Sequence, residues 1–221
     1  MVSVQPVAVV IIGPPGSGKG TQSARLGAFL GIPRISTGDI LRQVAASNDP
    51  LSESVKAIMA TGGLVSDEIL IGLVTSRLSE RDCLNGFILD GFPRNISQAA
   101  FLENLLSDKN YKLIVIEINV PEDVILKRIA GRFSCKNCGA IYNKYFVKPR
   151  KEGVCDYCGS TEFVYRLDDN EKTIKERLKE YLLQTAPVLD YFKAKSLLVT
   201  INGNNPLDIV YNDLISQLQS I

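Results

Sequence analysis

Gly13-Pro14-Pro15-Gly16-Ser17-Gly18-Lys19-Gly20-Thr21 decides how the rest of this chain is read. The apolar run of residues 7–12 leads straight into it, and a helical pattern over residues 21–30 leads out. Strand, glycine-rich loop and helix, in that order, are the setting of a phosphate-binding loop. The glycines allow successive backbone N–H groups to turn inward. The helix N-terminus adds a partial positive charge, and Lys19 adds a full one. The usual spelling places Ser or Thr directly after the lysine, where its hydroxyl can hold Mg²⁺. Here Gly20 takes that position and Thr21 follows one place late.

Working outward, further apolar and β-branched runs lie at residues 33–36, 86–90, 113–120 and 197–201. They lack polar alternation, as expected of strands buried on both faces of a parallel sheet. Helical patterns fill the intervals, over residues 39–46, 51–61, 67–78, 97–108, 121–132, 170–194 and 207–220. The alternation predicts an α/β fold with a doubly wound, five-stranded parallel sheet and right-handed crossovers. Two segments interrupt it. Residues 36–65 are helical in pattern without a strand. Residues 132–169 hold four cysteines, several aromatics and glycines, and no long helix. Both read as insertions over the carboxyl edge of the sheet, where such folds bind ligands. The expected division is a core of residues 1–35, 66–131 and 170–221, a helical insertion of residues 36–65, and a cysteine-bearing insertion of residues 132–169.

The 221 residues are 45% apolar, enough to bury a sizeable core. A formal net charge of +1 argues against a general binder of nucleic acid or of membrane surfaces. No run of 18 or more residues is continuously apolar, so no membrane-spanning helix is expected. Residues 1–6 lack the basic start of a signal peptide and lead directly into the first strand. The composition fits a cytoplasmic enzyme. Histidine is absent, which removes His-based acid–base and metal chemistry from consideration.

Cys135-Lys136-Asn137-Cys138 and Cys155-Asp156-Tyr157-Cys158 form two C-x-x-C knuckles, each followed by glycine. Their spacing matches a four-thiolate structural zinc site; two disulfides or free thiols are the alternative. Four thiolates would close the tetrahedron and leave no position for a catalytic water. Tyr142, Tyr145, Phe146, Phe163 and Tyr165 are expected to pack around the knuckles as a small satellite core. The fifth cysteine, Cys83, reads as a small buried hydrophobe.

Phosphoryl transfer needs positive charge where oxygens gather negative charge, and Lys19 alone would not suffice. Arg42, Arg94, Arg128, Arg132, Arg166 and Arg177 are the candidates. Arg128 and Arg132 fall at i and i+4 of one expected helix, where like charges repel unless an anion lies between them. Arg94 follows Asp90-Gly91-Phe92-Pro93 at the carboxyl end of an expected strand. Asp90 ends that strand beside the loop, suited either to backing Mg²⁺ or to capping the next turn.

At this point the chain closely resembles the adenylate kinase family, nearly from end to end. The motifs are Gly18–Thr21, the segment 35–42 reading ISTGDILR, the segment 85–94 reading NGFILDGFPR with Gln98 after it, and 166–169 reading RLDD followed by Arg177. The knuckles are similar to those of the long-lid, zinc-bearing bacterial type. The resemblance implies a P-loop kinase with a helical nucleoside-monophosphate insertion and a zinc-containing lid. It implies a monomeric enzyme using Mg²⁺ with ATP, structural Zn²⁺, and the substrates ATP, AMP and ADP. Gly16, Ser17, Gly18, Lys19, Gly20 and Thr21 would wrap the ATP phosphates. Arg132, Ile141, Tyr142 and a backbone group of Asn205 would cover the rest of ATP. Thr37, Arg42, Gly63, Leu64, Val65, Gly91, Phe92, Pro93, Arg94 and Gln98 would hold AMP, Gln98 reading the adenine edge. Lys19, Asp90, Arg94, Arg128, Arg132, Arg166 and Arg177 would carry the transfer, with Arg166 and Arg177 also reaching AMP. Cys135, Cys138, Cys155 and Cys158 would hold the zinc. A kinase for UMP, CMP or GMP is the nearest alternative, and a P-loop nucleic-acid-binding protein with a zinc ribbon the distant one.

Overall fold

A computed structural model of the chain describes residues 5–165, 169 and 171–219. β1 (Val7–Ile12) lies at the centre of a five-stranded sheet, flanked by β3 (Gly86–Asp90) and β4 (Lys112–Asn119). β2 (Arg34–Ser36) pairs outside β3 and β8 (Leu198–Asn202) outside β4, and every pairing is parallel. The pleat sends alternate side chains of the central strand into two separate cores. Ala8, Val10 and Ile12 join the layer of α5 (Ile96–Asp108) and α8 (Ala186–Ala194), through Leu102, Leu106, Val188 and Phe192. Val9 and Ile11 face α1 (Lys19–Leu30), α6 (Glu122–Ala130) and α9 (Leu207–Gln219), through Leu26, Ile125, Ile129 and Leu214. Burial on both faces is why these strands read as unbroken apolar runs.

Between β2 and α4 (Asp67–Leu78) the described chain forms only α2 (Thr37–Ala46) and α3 (Ser52–Thr61). From Arg132 onward it forms a small antiparallel sheet in the order β6 (Ile141–Asn143), β5 (Arg132–Cys135), β7 (Phe163–Val164). α7 (Glu171–Glu180) then leads through a π-helical turn, Tyr181–Thr185, into α8. Pro187 lies in the first turn of α8 and has no N–H to continue an α-helical ladder, which suits this break in register.

Two sequence expectations change here. The helix expected over 121–132 ends at Ala130. A Cβ at Gly131 would lie 2.7 Å from both Asn143 Oδ1 and Tyr145 Cδ2, so the chain must turn beneath that loop. Arg132 therefore starts β5, and Arg128 and Arg132 do not share a helix face. The satellite core is also smaller than expected. Tyr142 is buried and Phe163 packs on it together with Phe133. Tyr145, Phe146 and Tyr165 are exposed, because a sheet of three short strands has only one face to cover.

Candidate active site

The carboxyl ends of β1, β2 and β3 open into a cleft of about 1520 Å³, roofed by the 132–165 segment and walled by α3 and α7. The phosphate-binding loop forms its floor. Gly18 adopts a left-handed conformation, φ 94°, that tilts the chain into α1, where a Cβ would be strained. Ser17 donates its N–H to Pro14 O at 3.1 Å, and Lys19 Nζ donates to the same oxygen at 3.1 Å. Burial pushes Lys19 down to about 8, with Arg177, Arg94 and Arg132 adding to the effect and Asp90 opposing it.

The late hydroxyl has a local reason. A Cβ at Gly20 would stand 3.3 Å from Asp90 Oδ2 and 3.4 Å from Arg34 Nη2. Those two atoms form an ion pair of 2.7 Å directly behind the loop. Any side chain at position 20 would press on that pair. Thr21, one place on, lines the cleft.

On the opposite side Ser36 caps α2 by accepting the Asp39 N–H, and Arg42 pairs with Asp39 one turn further along. Arg94 is held by its backbone. Its N–H donates to Gln98 Oε1 at 2.8 Å, and its carbonyl accepts from Thr185 Oγ1, on the π-helical turn, at 2.9 Å. Its Nε donates to Gly91 O at 2.8 Å. Asn95 caps α5, and Gln98 is buried with its Nε2 donating to Asp67. Gly63, Leu64, Val65, Gly91, Phe92 and Pro93 line the same wall. Thr37 does not. It is fully buried behind the wall, its hydroxyl donating to Gly91 O at 2.8 Å, so it braces the loop rather than facing the cleft.

At the other end Arg128 donates to Ser17 O at 3.2 Å and Gly203 O at 2.9 Å, tying α6 to the loop and to the turn that carries Asn205. Arg132 makes a two-pronged ion pair with Asp169, which Arg177 approaches to 4.0 Å. Ile141, Tyr142 and Asn205 line the cleft here. Arg166 lies outside the described residues.

The four knuckle sulfurs all fall within 4.8 Å of one another. Cys135 and Cys158 approach to 3.5 Å, as do Cys138 and Cys155. A tetrahedral site with Zn–S bonds near 2.3 Å would place sulfurs about 3.8 Å apart, and a disulfide about 2.05 Å. The arrangement therefore fits four thiolates about one metal and not two disulfides. The Gly139 and Gly159 N–H groups close the two knuckle turns onto Cys135 O and Cys155 O.

The family model described as Adenylate kinase matches residues 11–197. The chain belongs to the adenylate kinase family. It is 45% identical over 212 residues to the adenylate kinase of Thermodesulfovibrio yellowstonii, covering 96% of this chain and 98% of that one. Over 214 residues it is 42% identical to that of Archaeoglobus fulgidus (96% and 98%), and over 211 residues 46% to that of Caldicellulosiruptor bescii (95% and 98%). Among the described residues no helix is long and apolar enough to cross a membrane.

Two residues at or beside the cleft receive no individual role from the sequence of this adenylate kinase family member. Asp169 holds Arg132 and comes close to Arg177, yet in the sequence it is one of two adjacent aspartates. Arg34 lies on a three-residue strand at the sheet's carboxyl edge. A charged residue in such a place was the available signal.

Proposed function

We propose that this chain catalyses the reversible transfer of the terminal phosphoryl group of ATP to AMP, giving two ADP. The observation that carries the reading is one cleft lined by the phosphate-binding loop with Lys19, by Arg42 and Arg94 on one wall, and by Arg132 and Arg177 on another. Gly16 to Thr21 would hold the ATP phosphates, with Lys19 between β and γ. Arg42 and Arg94 would hold the AMP phosphate, and Gln98, flanked by Gly63 to Val65, the adenine edge. An oxygen of the AMP phosphate attacks the γ-phosphorus as the bond to the departing ADP oxygen breaks. That oxygen is already largely ionised at neutral pH, so no side-chain base is required. The chain's part is to position the groups, gather positive charge and exclude water.

Mg²⁺, when bound with ATP, neutralises charge on the β- and γ-phosphate oxygens. The fit is indirect. Gly20 offers no hydroxyl, and Asp90, buried beside the loop with one oxygen on Arg34, would back the ion through water. Zinc in the knuckles would be structural, since four thiolates leave no open position. We further assign residues 36–65 and 132–169 as the two parts that close over the core, Arg132, Ile141, Tyr142 and Asn205 covering ATP as they do. The enzyme would act as a cytoplasmic monomer without nucleic acid.

A coupled assay with AMP, UMP, CMP and GMP, on protein of measured metal content, tests the reading. Turnover with AMP should far exceed the others, with one zinc per chain. Turnover with UMP equal to that with AMP would overturn the acceptor assignment.

A further inference from the structure

Arg34 has no part in the reaction as described, yet all three of its guanidinium nitrogens are engaged. Nε donates to Ser23 Oγ at 2.9 Å, Nη1 to Asp39 Oδ2 at 3.0 Å, and Nη2 to Asp90 Oδ2 at 2.7 Å. Asp39 is divided in turn, its second oxygen taken by Arg42. Arg42, Asp39, Arg34 and Asp90 thus form one continuous series of ion pairs. It runs from the acceptor-phosphate wall to the carboxylate behind the phosphate-binding loop. Its outer members are half-exposed, Arg42 at 34% and Asp39 at 42%, while Asp90 is at 7%. Pairs at the open end are screened and exchange partners at little cost; those at the buried end are not.

We infer that Arg34 is a positioning residue that couples the acceptor-phosphate site to Asp90, so that bound AMP strengthens the hold on the Mg²⁺-bearing donor nucleotide. The inference rests on the phosphoryl-transfer reading above. A phosphate dianion on Arg42 competes with Asp39 for that guanidinium. Asp39, losing one cation, draws more strongly on the other, which is Arg34. The Arg34–Asp90 pair weakens, and Asp90 regains negative charge beside the donor site. Without AMP, Arg34 cancels much of that charge. Asp90 Oδ2 is the oxygen that Arg34 holds, so it reports the state of the series. The bare Gly20 allows this approach, since a Cβ there would sit between the loop and the pair.

Calorimetric titration with β,γ-methylene-ATP, with and without Mg²⁺ and with and without AMP, tests this. In the unaltered protein AMP should raise the preference for the Mg²⁺ form by about fivefold or more. Arg34→Gln removes the charge while keeping a hydrogen-bonding amide. Its Mg²⁺ preference should be raised before AMP is added, and AMP should add less than about twofold. Arg34→Lys, which keeps the charge, should retain the low AMP-free preference. Asp39→Asn cuts the next link and should also lose the AMP effect, giving a second variant should Arg34→Gln not fold. An undiminished AMP effect in Arg34→Gln or Asp39→Asn would overturn the coupling, as would no AMP effect in the unaltered protein. Failure of the unaltered protein to bind AMP or to turn over would instead overturn the phosphoryl-transfer reading itself.

Discussion

Burial, and after it the charge of Arg177, push Arg94 down to about 10, with Asp90 only partly opposing them. Cations held this close repel unless an anion lies among them, which is the environment a transferring phosphoryl group supplies. The backbone of Arg94 is fixed through its own N–H and carbonyl, on Gln98 and Thr185. Removing the side chain therefore removes the charge and one bond to Gly91 O, which Thr37 still holds, while both backbone anchors remain. Arg94→Ala should cost turnover by roughly 10²–10³-fold, while the melting temperature stays within a few degrees. A variant that turns over normally would place Arg94 outside the reaction. Local spelling made Arg94 legible, because Asp-Gly-Phe-Pro-Arg ends a strand. It gave no sign that the Thr37 hydroxyl, beside the site, donates to Gly91 O from behind the wall. It gave no partner for Arg34 or Asp169, whose partners lie 56 and 37 positions away. Pairing at that distance is a product of topology and has no local pattern.

Among the elements, the knuckled segment was the most readable and the π-helical turn the least. Cysteine spacing maps directly onto the cluster of four sulfurs because each knuckle is a self-contained turn. The 170–194 pattern reads as one helix, since a five-residue π turn hardly disturbs helical periodicity. Only its contact with Arg94 gives the break a purpose. The four-cysteine segment has a core of little more than Phe133, Tyr142 and Phe163 between the knuckles, too small to order three short strands without a metal. Cys135→Ser should lower the melting temperature by several degrees or more. Turnover of the folded protein at low temperature should change little, because no ligand position on a four-thiolate metal faces substrate. Zinc content and a melting curve, read beside the rate on one preparation, check this. Loss of activity at full folding and unchanged stability would assign the segment's metal a part in the reaction.

Across the whole molecule, the two cores and the parallel order were legible because every central strand is buried on both sides. That five cations from separate elements share one cleft followed from the family resemblance and not from any local pattern. That convergence has a consequence for pH. Lys19 is held near 8, with burial as the leading cause, against 10.5 for a free lysine. Between those values the unfolded chain carries a proton on this lysine that the folded chain lacks. The group's destabilising contribution below pH 8 is therefore relieved as pH rises through the window. Bound ATP phosphates restore the charge, so ATP binding must take up a proton there. Affinity should be nearly independent of pH through Lys19 below pH 8 and should then fall by up to about tenfold per pH unit. Titrations from pH 7.5 to 9.5, in buffers of different ionisation enthalpy, report both the affinity and the proton. Lys19→Arg, charged throughout, should bind without that slope if it binds at all. A flat profile in the unaltered protein would mean that Lys19 already keeps its proton before ATP arrives. Arg94, Arg132 and Arg177 would then contribute less repulsion at the loop than their convergence implies.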